Sequence, residues 1–130
     1  MSKKRIHILE DDHEIRNVIE ILLKEEGFEL QLSSSFSELK KNIKDAMPDL
    51  FLLDVMLPDG NGAEICQDLK TDMFTKHIPI IVMSAQNNSE QKAIDAFADD
   101  YISKPFDIDN VLQRINAQID KSRSAKTENA

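Results

Sequence analysis

The stretch Leu50-Phe51-Leu52-Leu53-Asp54 decides the fold. Four large apolar residues in succession leave no polar face for water. Such a run is a strand covered on both sides, as in the middle of a parallel sheet. It ends abruptly on a carboxylate. An aspartate leaving a buried strand is costly to desolvate unless something of opposite charge meets it.

Outward from this run, short apolar segments alternate with segments of helical period. Ile6 to Leu9 is a strand, and Ile15, Val18, Ile19, Leu22 and Leu23 follow the spacing of an amphipathic helix that Gly27 stops. Phe28, Leu30 and Leu32 alternate with Glu29 and Gln31, which marks a half-exposed strand. Ser35 and Glu38 read as a capping box opening a helix through Phe36, Leu39, Ile43 and Met47, with Pro48 beyond its end. After Asp54 come a turn at Asp59-Gly60-Asn61-Gly62 and a helix carrying Ala63, Ile65, Cys66, Leu69 and Met73. Ile78 to Met83 is a further apolar strand, with Pro79 near its start. A weak helix over Glu90 to Ala98, a short strand at Tyr101 to Ser103, and a helix through Ile108, Val111, Leu112, Ile115 and Ile119 follow. From Ser122 the chain is polar and reads as a frayed, flexible tail, so the folded domain spans 1–121.

Strict alternation of strand and helix implies a parallel sheet with helices on both faces. The two-faced strands, the first, third and fourth, belong in the middle, and the second and fifth suit the edges. The order 2-1-3-4-5 satisfies this and is one of the two common doubly wound orders, the flavodoxin-like (βα)5 arrangement. Ligands of such sheets sit beyond the carboxyl ends of the strands. There the first strand runs into Glu10-Asp11-Asp12, the third into Asp54, the fourth into Ser84 and the fifth into Lys104-Pro105. Several carboxylates converging there repel one another, and a hard, oxygen-seeking cation such as Mg²⁺ relieves that repulsion. With a lysine and a hydroxyl beside them, the set suits phosphoryl transfer onto an aspartate.

The net charge of −8 supplies no basic stripe for nucleic acid. One cysteine gives no disulfide framework, which fits a reducing compartment. No apolar run is long enough to span a bilayer, and the basic start Met1-Ser2-Lys3-Lys4-Arg5 has no signal-peptide core behind it, so a cytoplasmic location is expected. His7, His13 and His77 lack metal-ligand spacing and read as surface or packing groups, and Cys66 reads as a small core residue.

Four segments together carry a resemblance. They are Ile8-Leu9-Glu10-Asp11-Asp12, Leu53-Asp54-Val55-Met56-Leu57-Pro58, Val82-Met83-Ser84-Ala85, and Asp99-Asp100-Tyr101-Ile102-Ser103-Lys104-Pro105-Phe106. In this order and spacing the chain resembles the receiver domains of bacterial two-component systems, over about residues 4–121. The resemblance implies that Asp54 is the phosphoacceptor. Glu10 and Asp11, in the register set by Arg16, would hold a Mg²⁺ or Mn²⁺ ion with Asp54 and the main-chain carbonyl of Met56. Ser84 would bind a phosphoryl oxygen, Lys104 would pair with the phosphoryl group, and Ser84 with Tyr101 would form the switch. The donor would be a sensor histidine kinase or a histidine phosphotransfer protein, docking on Asp12, His13, Ile15 and Val18 with Pro105 and Phe106. Output would pass through protein contacts, as in chemotaxis regulators or phosphorelay intermediates, or through a DNA-binding domain of a longer regulator.

The chain departs from the family pattern in a short Ser84–Lys104 interval, in Phe97 where glycine is usual, and in the lack of an output domain after residue 121. Two rival readings weaken on particular positions. A hydrolase of the haloacid dehalogenase type needs a second aspartate where Met56 stands, and a phosphate-independent module would have lost the acceptor, the acidic pair or the lysine.

Overall fold

The structure is a computed structural model and describes residues 3–54, 56–57, 60–84, 98–103 and 107–128. Its elements are β1 (Arg5–Leu9), α1 (His13–Glu25), β2 (Glu29–Ser33), α2 (Phe36–Asp45), β3 (Leu50–Asp54), β4 (Met56–Leu57), β5 (Gly60–Asn61), α3 (Gly62–Thr71), β6 (Ile80–Ser84), β7 (Asp100–Ser103) and α4 (Ile108–Glu128). The main sheet has the order β2-β1-β3-β6-β7, all parallel, and β4 and β5 form a separate antiparallel pair. With that pair set aside, the order is the expected 2-1-3-4-5.

The pleat of β3 explains why its sequence is apolar throughout. Leu50 and Leu52 point into the core under α1 and α4, with Ile19, Leu23, Val111 and Ile115. Phe51 and Leu53 point into the opposite core under α2 and α3, with Leu39, Ile65, Cys66 and Leu69. All four are fully enclosed. Edge strand β2 keeps only Ser33 buried, in agreement with the half-exposed strand expected.

Local signals account for the ends of the helices. Asp12 caps α1, its carboxylate accepting from the main-chain N–H groups of Glu14 and Ile15. At the other end Gly27 adopts φ 90°; its N–H donates to Lys24 O and that of Phe28 to Leu23 O, the paired bonds of a Schellman turn. Ser35 caps α2 by accepting from Glu38 N, but the Glu38 carboxylate reaches back to Ser34, not to the cap residue, so the expected box is half closed. The two Ser34 hydrogen bonds hold the Glu38 carboxyl below its ordinary pKa.

Several boundaries differ from the sequence reading: α2 ends at Asp45 and α3 at Thr71, so Met47 and Met73 stand beyond these helices, both exposed. The fourth long strand begins at Ile80 and not Ile78, because Pro79 has no N–H to give the ladder and the N–H of Ile78 is taken by Thr75 O. The last strand gains Asp100 at its start, whose carboxylate is held by Arg114 of α4. Within the expected turn, Gly60–Asn61 pairs back onto Met56–Leu57 and α3 starts at Gly62. Finally, α4 continues to Glu128 through the expected tail. The stretch Lys121-Ser-Arg-Ser-Ala-Lys-Thr-Glu128 contains no glycine or proline to end it. The helix expected at Glu90–Ala98 lies outside the described residues, apart from Ala98.

Candidate functional site

Because β1 and β3 are adjacent and in register from Ile6↔Leu50 to Leu9↔Leu53, the residues after Leu9 meet Asp54 at one rim. Glu10 is fully buried and Asp54 is 6 % exposed, while Asp11 is open to solvent. Each offers a carboxylate oxygen, and the three oxygens lie within 4.8 Å of one another. Glu10 and Asp54 make further polar interactions, and the Oε2 atom of Glu10 is buried with no hydrogen bond.

Asp12 faces away from this group, its carboxylate spent on capping α1. The cluster therefore consists of Glu10, Asp11 and Asp54. The backbone of Glu10 is gripped on both sides. Its N–H donates to Ser33 O at 3.1 Å, and its carbonyl accepts from Arg16 Nη1 at 2.9 Å. Arg16 also meets His13 Nδ1 through Nη2.

Among the other expected site residues, Ser84 ends β6 at the same edge of the sheet, opposite Ser103 of β7. Met56 opens β4, paired with Asn61. Tyr101 is half-buried in β7, opposite Val82, and packs against the core under α2 and α3. On α1, His13 is exposed, Ile15 is half-buried against the core and Val18 is 52 % exposed. Lys104, Pro105 and Phe106 lie outside the described residues, as do Ala85 to Phe97.

Of the two places the sequence reading allows His7, surface or packing, the structure shows the second. His7 is a packing residue, but one with a full set of polar partners. It is wholly buried, with Nδ1 3.2 Å from Gln31 Oε1, Nε2 2.7 Å from Ser33 Oγ, and its ring 6.0 Å from that of Phe51. Burial lowers its pKa from 6.5 to about 4, partly opposed by the Gln31 hydrogen bond. The available signal was the position of His7 between Ile6 and Ile8 in a two-faced strand, where every side chain must be enclosed. Cys66 is likewise buried, and desolvation pushes its thiol up to about 12, which makes it a core residue and not a nucleophile.

A doubly wound sheet with an acidic cluster at the carboxyl ends of β1 and β3 defines a class, and comparison with known proteins identifies it. Residues 6–116 match the model of the response regulator receiver domain, and the chain belongs to that family. It is 33% identical over 116 residues to the phosphate regulon transcriptional regulatory protein PhoB of Escherichia coli, covering 88% of this chain and 51% of PhoB. It is 35% identical over 115 residues to the DNA-binding dual master transcriptional regulator RpaA of Synechocystis, covering 87% of this chain and 48% of RpaA. The chain thus spans about half the length of these relatives. Among solved structures it resembles a CheY-like response regulator receiver domain protein from Methanospirillum hungatei, with a TM-score of 0.88 at 26% identity over 95% of this chain and 99% of that one. The BeF₃-activated N-terminal receiver domain of Klebsiella pneumoniae RstA superposes with a TM-score of 0.81 at 25% identity, over 89% and 98% of the two chains. The protein is a two-component signal-transduction receiver. Among the described residues no helix is long and apolar enough to cross a membrane.

Proposed function

We propose that Asp54 accepts a phosphoryl group from a phosphohistidine donor and that the protein signals through the change this makes at the rim. The observation that carries the reading is the meeting of Glu10, Asp11 and Asp54 within 4.8 Å, two of them buried. A carboxylate oxygen of Asp54 attacks phosphorus as the donor's P–N bond breaks. Three like charges at this spacing fit a divalent cation, and Mg²⁺ or Mn²⁺ held there would neutralise the phosphoryl oxygens. Glu10, Asp11, Asp54 and the main-chain carbonyl of Met56 are the ligands we assign to it. Lys104 pairs with the new charge of about −1.5 to −2, and the Ser84 hydroxyl hydrogen-bonds a phosphoryl oxygen. Tyr101, next to Ile102 on β7, reads the movement of Ser84. The Met56 side chain slows hydrolysis because a thioether cannot hold the attacking water.

In this reading the protein is a switch that assists its own phosphorylation and slow dephosphorylation, and it acts in the cytoplasm. A sensor histidine kinase or histidine phosphotransfer protein docks on Asp12, His13, Ile15 and Val18, with Pro105 and Phe106 beside them. Output passes through protein contacts with a downstream target. A second reading has a specific observation behind it: the chain matches only 51% of PhoB and 48% of RpaA, a protein described as DNA-binding. In it, these residues are the receiver part of a longer regulator whose separate output domain binds DNA.

Intact-mass measurement after incubation with a small phosphoramidate and Mg²⁺ tests the acceptor. One phosphoryl group is expected on the wild type and none without Mg²⁺ or in Asp54→Asn. A native Asp54→Asn protein that still gains a phosphoryl group would refute the assignment.

A further inference from the structure

We infer that His7, as a neutral imidazole carrying its proton on Nδ1, positions the Glu10 corner of the carboxylate cluster through Ser33 and Asn42. The cation-binding role of that corner rests on the reading above; the tie itself does not.

The polarity of the buried hydrogen-bond chain follows from its ends. Gln31 Nε2 donates to Ala46 O at 2.9 Å, and a carbonyl can only accept. That turns the Gln31 oxygen toward His7, so Nδ1 of the imidazole must donate to it. Nε2 is then the acceptor and takes the Ser33 hydroxyl hydrogen at 2.7 Å. The Ser33 oxygen receives an N–H from Asn42 at 2.9 Å, and the same Asn42 Nδ2 reaches Leu32 O at 3.3 Å. Every link runs in one direction from α2 through β2 and β1 and back to the end of α2. No ionised side chain faces the ring among these partners, which are Gln31, Ser33, Asn42 and Phe51.

Packing alone does not require this chain, since an aliphatic residue would fill the same place between β1 and α2. What the chain adds is a hold on β2. That strand lies at the edge of the sheet and has a ladder on one side only, toward β1. The side-chain bonds from His7 and Asn42 fix its end where a second ladder is missing. They converge on Ser33, whose carbonyl takes the Glu10 N–H at 3.1 Å. With Arg16 holding the Glu10 carbonyl from α1, the Glu10 peptide is fixed from both flanks and its side chain is aimed at Asp11 and Asp54. His7 touches no reacting group; it is a positioning residue.

The full chain, ¹⁵N-labelled, allows the test. Long-range ¹H–¹⁵N spectra at pH 7 should show His7 protonated at Nδ1 with a pyridine-type Nε2. A ring protonated at Nε2, or at both nitrogens, overturns the inference. Hydrogen exchange then separates positioning from general stability. In Ser33→Ala, and independently in Asn42→Ala, the Glu10 amide should exchange about tenfold faster relative to the Ile81 amide in the central strand β6. Ser33→Thr, which keeps the hydroxyl, should restore protection. Equal acceleration at Glu10 and Ile81, or none at Glu10, refutes the tie. A Mg²⁺ titration on the same samples should show weaker binding in the two alanine variants. Wild-type protein that takes up no Mg²⁺ overturns the acceptor reading, and the tie is then decided by the Glu10 exchange.

Discussion

The carboxylate cluster and the His7 chain lie one strand apart and bury polar groups in opposite ways. The cluster gathers three groups of one charge within 4.8 Å, and capping takes the next acid, Asp12, out of it. The His7 chain alternates donors and acceptors until each neutral member is matched. A matched neutral network is complete as it stands and makes the local structure unique. A set of like charges at the end of a buried strand favours a bound cation, and that is a property of a site. The two meet at the Glu10 peptide, whose N–H lies on Ser33 O.

The comparison breaks most visibly if the neutral chain is cut. His7→Ala removes a fully buried ring and strands the Gln31 oxygen and the Ser33 hydroxyl. Cavity and unsatisfied groups together should cost about 4 kcal/mol, measured as a lower urea midpoint with unchanged slope. A loss below about 1 kcal/mol would mean that water replaces the ring and that the network has little structural weight.

Acid should strain the same chain more gradually. Burial lowers the His7 pKa from 6.5 to about 4, so between these values the unfolded chain binds the proton and the folded chain does not. Stability from the neutral ring is therefore complete above pH 6.5 and is lost as pH falls toward 4, by about 3 kcal/mol. In His7→Leu this part of the pH slope should vanish, leaving only the contribution of the carboxylates. A mutant with the wild-type slope would show that His7 does not titrate in the native state as its burial requires.

The cluster responds to a cation and the chain does not. At a Mg²⁺ concentration a hundredfold above its Kd, the wild type should gain about 2.7 kcal/mol, seen as a higher melting temperature. Asp11→Asn and Asp54→Asn should each lose most of that gain. Each should also melt higher than the wild type in metal-free buffer, because one like charge is gone. Equal Mg²⁺ stabilisation in the wild type and both variants would place the ion elsewhere.

Much of this was legible in the sequence, and the reason differs by region. Leu50–Leu53 could be read because burial on both faces admits only apolar residues, and this fixed β3 at the centre of the sheet. The acidic end of β1 could be read because strand order alone carries it to Asp54. The His7 chain could not. Its members are separated by up to 35 positions of ordinary residues, His7 to Asn42, and only the β1–β2 register and the packing of α2 bring them together. The end of α4 is hard to read because a polar stretch resembles a frayed tail, although nothing in Lys121 to Glu128 stops a helix. The start of β6 is not legible from apolar patterning, which does not register the missing N–H of Pro79.

The smallest expected effect separates two neighbouring acids. Asp11 and Asp12 are identical in type and both exposed, and only their directions differ. The Asp12 carboxylate takes the N–H groups of Glu14 and Ile15 at 2.9 and 3.2 Å, whereas Asp11 contributes its oxygen to the cluster. Asp12→Ala should thus cost about 1 kcal/mol through the lost helix cap and leave the Mg²⁺-induced rise in melting temperature intact. Asp12→Asn, which caps as well as aspartate, should recover the stability. Asp11→Asn should do the reverse, with the raised metal-free melting temperature expected from removing one like charge and a large loss of the Mg²⁺ response. Paired melting curves with and without Mg²⁺ for the three variants decide the matter. If Asp12→Ala abolished the Mg²⁺ response while Asp11→Asn kept it, the cation site would lie one residue further along the chain.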